Sequence, residues 1–297
     1  MPRSNHPEGE KHHYLPVFYL KHWKGDDGRV CEFSRPYKEI KPRRCAPTDT
    51  GFIRGLYLFP YLPPAISNFL EDKFFRRTDD RAAPLLTRLL NDDVEFDSDA
   101  RTGWARFVMT LMHRTPEGLE RIRTNVFQSI PAELEKLRAT YAANRQPGDP
   151  DTFEELQRDL VAKEYQEITI QVVTKLMNSE LIGTQLINMQ WAVKRLKPPD
   201  FSLLTSDRPL IMSDGIGHES GFIMMPISPD RVFIMANNVK TITTIDREPN
   251  FAARVNDFVA KQAHKFVYGN DDTQLRFVAK RHGQRIKSLP WEEGNRG

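Results

Sequence analysis

The chain of 297 residues carries 39% apolar and 28% charged side chains, with 43 basic against 40 acidic groups for a formal net charge of +3. With a mean hydropathy of -0.56, this excludes a mostly disordered chain and a membrane channel, and the charge surplus is too small to argue for nucleic acid without a concentrated basic face. The longest apolar runs, such as Phe222 to Ile227, fall far short of the roughly 18–20 residues a spanning helix needs, and the polar start Met1 to Lys11 lacks the apolar centre of a signal peptide, so a cytoplasmic protein without membrane contact is expected.

Residues 1–11 and 291–297 read as tails around a single domain over 12–290. The domain opens on His12-His13-Tyr14-Leu15-Pro16-Val17-Phe18-Tyr19-Leu20-Lys21-His22-Trp23, the segment densest in groups able to do chemistry. It begins a β-rich region over 12–60, punctuated by the turn signal Gly25-Asp26-Asp27-Gly28, with Val30 to Phe33 as one strand and Leu56 to Phe59 as the last. The two cysteines, Cys31 and Cys45, fit no zinc pattern. Free thiols in a reducing compartment are favoured over a disulfide between them.

A helical middle occupies about 66–185. Apolar residues from Ile66 to Leu90 recur at three- and four-residue steps, predicting an amphipathic helix that Pro84 kinks or splits. Ser98 or Asp99 caps the next, whose stripe is Trp104, Phe107, Val108 and Leu111 and which ends near Arg114. Thr115-Pro116-Glu117 starts another, running to about Ala143 with a bend or break near Pro131. After Gln146 to Pro150, residues 152–183 read as one long helix.

The pattern then becomes β-rich over 186–240. Met189 to Lys194, Phe201 to Thr205, Leu210 to Met212, Phe222 to Met225 and Val232 to Met235 are spaced like hairpins, and a closing helix spans 251–265 before the extended Phe266 to Tyr268. Helical and β-type runs are segregated, which predicts α+β: a large helical middle packed with a mixed or antiparallel sheet built from N-terminal and C-terminal strands. Such a sheet would bring the opening histidines near the closing strands.

The common zinc-hydrolase, nucleotide-loop and serine-hydrolase signatures are absent from the sequence, so candidates rest on residue types and placement. His13 has an imidazole able to act as acid, base or ligand near neutral pH. Strand alternation turns His12 and His13 to opposite faces, so at most one of them serves a given site, and either equally reads as a surface or hydrogen-bonded loop histidine. Thr205-Ser206-Asp207-Arg208-Pro209 sets hydroxyls and a carboxylate at a strand end, where reacting groups are held rigidly, although the same residues make an ordinary turn. Ser206 as a nucleophile needs a base aligned on it. Arg114, before a helix start with free N–H groups, suits a phosphate or carboxylate, and equally caps carbonyls. Glu71 and Asp79 share a predicted helix face and would hold a divalent cation between oxygen ligands, or simply pair with Lys73, Arg76 and Arg77. Asn256, a poor helix former inside an amphipathic helix, would need partners for its amide if buried, and reads equally as a surface residue.

Taken together, His13-Tyr14-Leu15-Pro16 with Phe18-Tyr19-Leu20, Arg114-Thr115-Pro116, Leu204-Thr205-Ser206-Asp207-Arg208-Pro209, Pro226-Ile227-Ser228-Pro229 and Asn256 resemble the family catalogued as domain of unknown function 4238, over roughly 12–270. Val17 after Pro16 and Arg208 between Asp207 and Pro209 depart from its usual pattern. The resemblance implies one domain of mixed helical and β structure and concentrates attention on His13, Tyr14, Arg114, Ser206, Asp207 and Asn256. Two functions are expected. One is an intracellular hydrolase of a phosphodiester or nucleotide: His13, Asp207 and Ser206 would be catalytic, Tyr14, Arg114 and Asn256 would bind substrate, and Glu71 would hold a divalent metal. Its partners would be a small anionic ligand or nucleic acid. The other is a non-catalytic ligand-binding or effector protein whose polar motifs are structural.

Overall fold

Strands from the two ends of the sequence meet in one sheet, as their composition predicts. The computed structural model describes residues 10–197, 201–213 and 215–284; the predicted tail 291–297 and all but the last two residues of the tail 1–11 lie outside them. The chain opens with β1 (Lys11–His13), a helical turn α1 (Val17–Leu20) tightening into a 3₁₀ turn (Lys21–Trp23), β2 (Val30–Ser34), β3 (Lys41–Cys45) and β4 (Phe52–Arg54). The helical middle comprises α2 (Pro64–Ser67), a π-helical turn (Leu70–Phe75), α3 (Arg76–Leu90), α4 (Ser98–His113), α5 (Pro116–Asn144), α6 (Phe153–Met177) and α7 (Glu180–Asn188). It is followed by β5 (Gln190–Arg195), β6 (Thr205–Ser206), β7 (Ile211–Met212), β8 (Phe222–Ser228), β9 (Arg231–Ala236), α8 (Val239–Asp246), α9 (Phe251–Gln262), β10 (Val267–Gly269) and α10 (Leu275–Ala279).

The fold is α+β, with every strand pair antiparallel. β1 pairs with β4, one four-stranded sheet runs β3-β2-β10-β6, and the other runs β5-β9-β8-β7. Side chains of a strand alternate between faces, and here the two faces feed different cores. Ile223, Met225, Phe233 and Met235 pack with the helical middle, whereas Phe222, Met224, Val232 and Ile234 pack with α8 and α9. The unbroken apolar run of β8 is therefore a strand covered on both sides, which is why it shows no polar alternation. Tyr19 ties the two sheets together: its hydroxyl donates to the Pro226 carbonyl in β8 and lies 2.6 Å from the Thr205 hydroxyl in β6.

The same alternation settles the cysteines. In the register of β2 and β3, Cys45 faces Val30 and Cys31 faces Arg44, so the two thiols point to opposite faces and into different cores. Both are free and buried, and burial pushes each thiol up to about 11, leaving neither reactive.

Several helix limits are written in their caps. Thr115 accepts the Gly118 N–H at 3.1 Å with Pro116 in the first helical position, as expected. α4 is capped by Asp97, whose carboxylate accepts the Ala100 N–H at 2.8 Å, one residue before the two predicted caps. The single helix predicted over 152–183 is two, because Ser179 caps a second helix by accepting the Ile182 N–H. Neither proline splits its helix. α3 runs through Pro84 and α5 past Pro131; Pro84 and Asp80 are both exposed, so the carbonyl freed by the missing N–H is on the hydrated side. The irregularity falls earlier, at the π-helical turn.

Two predicted strands also change. Gly55, at φ +66, turns the chain directly after β4, so Leu56 to Phe59 form buried turns rather than a strand. The strand expected over 201–205 is reduced to β6, because the Leu204 N–H donates to the Asn256 side chain at 2.7 Å and the Leu203 N–H to the Pro229 carbonyl at 2.7 Å.

Candidate functional site

Two clusters of polar residues are built into this frame. The first joins β6, α9 and β10. Asp207, almost wholly buried, accepts the backbone N–H groups of His264 at 2.8 Å, Lys265 at 2.6 Å and Phe266 at 3.0 Å, so it holds the turn between α9 and β10. Burial pushes its carboxyl up, and the three N–H donors oppose that shift. Ser206 donates its hydroxyl to the Arg208 carbonyl at 2.9 Å and accepts the Arg208 N–H at 3.2 Å, the local turn bonding open to such a residue. Asn256 donates to the Ser202 carbonyl at 2.8 Å and to Gln274 Oε1 at 3.0 Å, while its oxygen takes the Leu204 N–H. The side chains of Ser206, Asp207 and Asn256 are thus each spent on neighbouring groups.

Tyr14 lies on the edge of this cluster. Its hydroxyl is pushed up by burial and by the carboxylates of Asp207, Glu117 and Glu32. Beyond it, Tyr268 and Thr50 meet hydroxyl to hydroxyl at 2.9 Å, Thr50 donates to Glu32, and Glu32 is clasped by Arg43 with both bonds at 3.0 Å. His13 belongs elsewhere. It sits opposite Phe52 in the β1–β4 pair, with its ring 5.4 Å from that of Phe52. Burial lowers its pKa, the Thr48 carbonyl raises it, and the charges beside it are Lys11, Arg114 and Asp49. Among the described residues no hydrogen bond or ion pair joins His13 to Asp207 or to Ser206.

The second cluster surrounds Tyr57. Its ring stacks on His12 at 5.5 Å and 7°, and lies 4.6 Å from Phe75. Its hydroxyl donates to the Arg114 carbonyl at 2.5 Å. The Arg114 side chain, 1% exposed, forks onto Asp79 at 2.8 and 3.2 Å, donates to the His13 carbonyl at 2.7 Å and lies 4.7 Å over Phe75. A planar fork can satisfy a carboxylate and stack on a ring at once, which a lysine cannot do. With both Asp79 oxygens engaged, the pair is neutral as a unit.

Glu71 stands beside that pair on the π-helical turn, where the Arg76 N–H reaches back to the Glu71 carbonyl. Such single widened turns recur at functional sites. Burial pushes the Glu71 carboxyl up to about 7, Arg114 pulls it down and Asp79 raises it further. Its Oε2 is buried and has no hydrogen-bond partner. Three more buried atoms of this region share that condition: Asn68 Oδ1, Arg114 Nε and His12 Nε2. The Tyr57 N–H donates to His12 Nδ1 at 2.9 Å and burial lowers the pKa of His12, so the neutral ring carries its proton on Nε2 and acts as a donor there.

This arrangement does not suit a divalent cation. Asp79 is used by Arg114, the guanidinium charge lies beside Glu71, and His12 presents an N–H where a metal needs a lone pair. Among the described residues no group of three or more His, Cys, Asp or Glu side chains could hold a metal ion. What the cluster offers is a carboxyl poised near neutral pH among buried donors. Arg114 and Glu71 are foreseen from sequence as separate features. His12, Tyr57 and Asn68 are not: the choice between His12 and His13 depends on which face of β1 is covered, and only the pairing with β4 decides it, leaving His12 buried and its neighbours half-buried.

Residues 11–273 match the family described as Protein of unknown function (DUF4238), and the chain belongs to it. No curated protein and no solved structure matches the chain. Among the described residues no helix is long and apolar enough to cross a membrane.

Proposed function

Taking that membership as the premise, we propose that the chain is an intracellular hydrolase of a phosphodiester or nucleotide in which Glu71 transfers the proton, instead of a pair formed by His13 and Asp207. One observation carries this reading: the Glu71 carboxyl has an unbonded buried oxygen and sits near pH 7, where a group takes and returns a proton with least cost. As a base Glu71 removes a proton from the attacking water, and the protonated carboxyl then serves the leaving oxygen. Arg114, fixed by Asp79, acts as a positioning residue: it sets the field at Glu71 without needing to touch the substrate.

The test is Glu71→Gln, assayed against bis(p-nitrophenyl) phosphate and nucleoside mono- and triphosphates. The reading expects turnover by the natural protein, rising as pH passes about 7, and a loss of about 10²–10⁴-fold in the variant without loss of folding. Equal turnover by both proteins refutes it.

A second reading is supported by the closed bonding of Ser206, Asp207 and Asn256: a non-catalytic ligand-binding or effector protein in which the motif residues only cross-link the sheets. It predicts no turnover by the natural protein across the same panel.

A further inference from the structure

Where the last turn of α4, the start of α5 and the segment between β6 and β7 converge, they enclose a groove of about 330 Å³, at the lower end of the range for small-molecule sites. Its lining is apolar at Leu111, Leu210 and Met212 and charged at Arg121, Arg208 and Glu117. A second hollow of about 530 Å³ shares Glu117 and Arg121 with it and is lined by Glu120 as well.

Two arginines, Arg121 and Arg208, line this groove against one carboxylate, Glu117. Glu117 is approached by His264 Nε2 at 3.1 Å and by Arg208 Nη2 at 3.6 Å, so one carboxylate already answers to two basic groups. Arg121, exposed, has no hydrogen bond or ion pair among the described residues. The contrast with Arg123 is informative. Two residues further along α5, Arg123 donates to the Leu56 carbonyl at 3.1 Å and covers the Phe59 ring, so it is used by the fold. Two guanidinium groups and three apolar side chains lining one groove suit a compact aromatic body carrying a phosphate, because the planar fork matches phosphate oxygens and the apolar side chains take the ring. Met212, in that lining and 41% exposed, is a side chain that adapts well to a flat aromatic surface.

We propose that this groove is a binding site for a nucleoside monophosphate, with the phosphate between Arg121 and Arg208 and the base against Leu111, Leu210 and Met212. The proposal goes beyond the acid–base reading and does not depend on Glu71. It is tested by calorimetric titration of the full-length protein with AMP, adenosine and inorganic phosphate. AMP is expected to bind more tightly than either fragment, and Arg121→Gln to weaken AMP at least tenfold while leaving adenosine unchanged. Arg208→Gln serves as an independent second variant with the same expectation. Arg121→Gln should keep whatever turnover of bis(p-nitrophenyl) phosphate the natural protein shows, which separates failure of this site from failure of the catalytic reading. The absence of AMP binding, or binding equal in Arg121→Gln, Arg208→Gln and the natural protein, overturns the proposal.

Discussion

The cluster around Asp207 and the cluster around Tyr57 use the same kinds of side chain and differ in whether their bonding is closed. At Asp207 the carboxylate takes three backbone N–H groups, and Asn256 replaces a strand for Leu204. Around Tyr57, by contrast, Glu71, His12, Asn68 and Arg114 each keep a buried atom without a partner. Buried polar groups left open are costly for a fold and rare. A motif residue whose hydrogen bonds are complete is mortar, and chemistry is better sought where they are not.

Replacing residues in each cluster sharpens this contrast. The largest stability effect is expected at Arg114: Arg114→Met leaves the half-buried Asp79 without its partner and should cost about 3 kcal/mol in chemical denaturation, much of it recovered when Asp79→Leu is added. Recovery absent in the double variant would mean that the ion pair is not what Arg114 supplies. Asp207→Ala comes next, at about 3 kcal/mol, because three N–H groups lose their acceptor; hydrogen exchange should accelerate at His264, Lys265 and Phe266. A stable Asp207→Ala protein lacking only activity would move Asp207 from the mortar to the chemistry.

The smallest change in stability is expected at Glu71, and its sign depends on pH. Burial raises the folded-state value to about 7 from 4.5, so the folded protein binds an extra proton between those limits. Whatever stability this linkage gives is fully present below about 4.5 and is lost as pH rises through about 7. Glu71→Gln should flatten that slope, leaving a protein within about 1 kcal/mol of the parent at low pH. An unchanged slope would place the carboxyl in water.

Much of this frame was legible in the sequence, and the limits of that reading are physical. The cap at Thr115-Pro116 and the covered strand Phe222 to Ile227 announce themselves because local chemistry decides them. The break at Ser179 and the turn at Gly55 are also local, yet weaker than the apolar periodicity that runs across them. The shortening of the strand before Thr205 could not be read at all, since it depends on an asparagine from a distant helix. The same holds for the site. Glu71 and Arg114 stand out by type, but that the Arg114 guanidinium takes up Asp79 and lies beside Glu71, where a cation was expected, depends on a long-range contact that no local pattern announces. Ser206 and Asp207 attract attention as a strand-end pair, and only the backbone donors at 264–266 show what Asp207 holds.

The most direct measurement is a ¹³C NMR titration of the Glu71 carboxyl, assigned by its disappearance in Glu71→Gln. The account predicts a midpoint near 7 that falls when Asp79→Asn removes the neighbouring negative charge. A midpoint at the ordinary carboxylate value of 4.5 would contradict it.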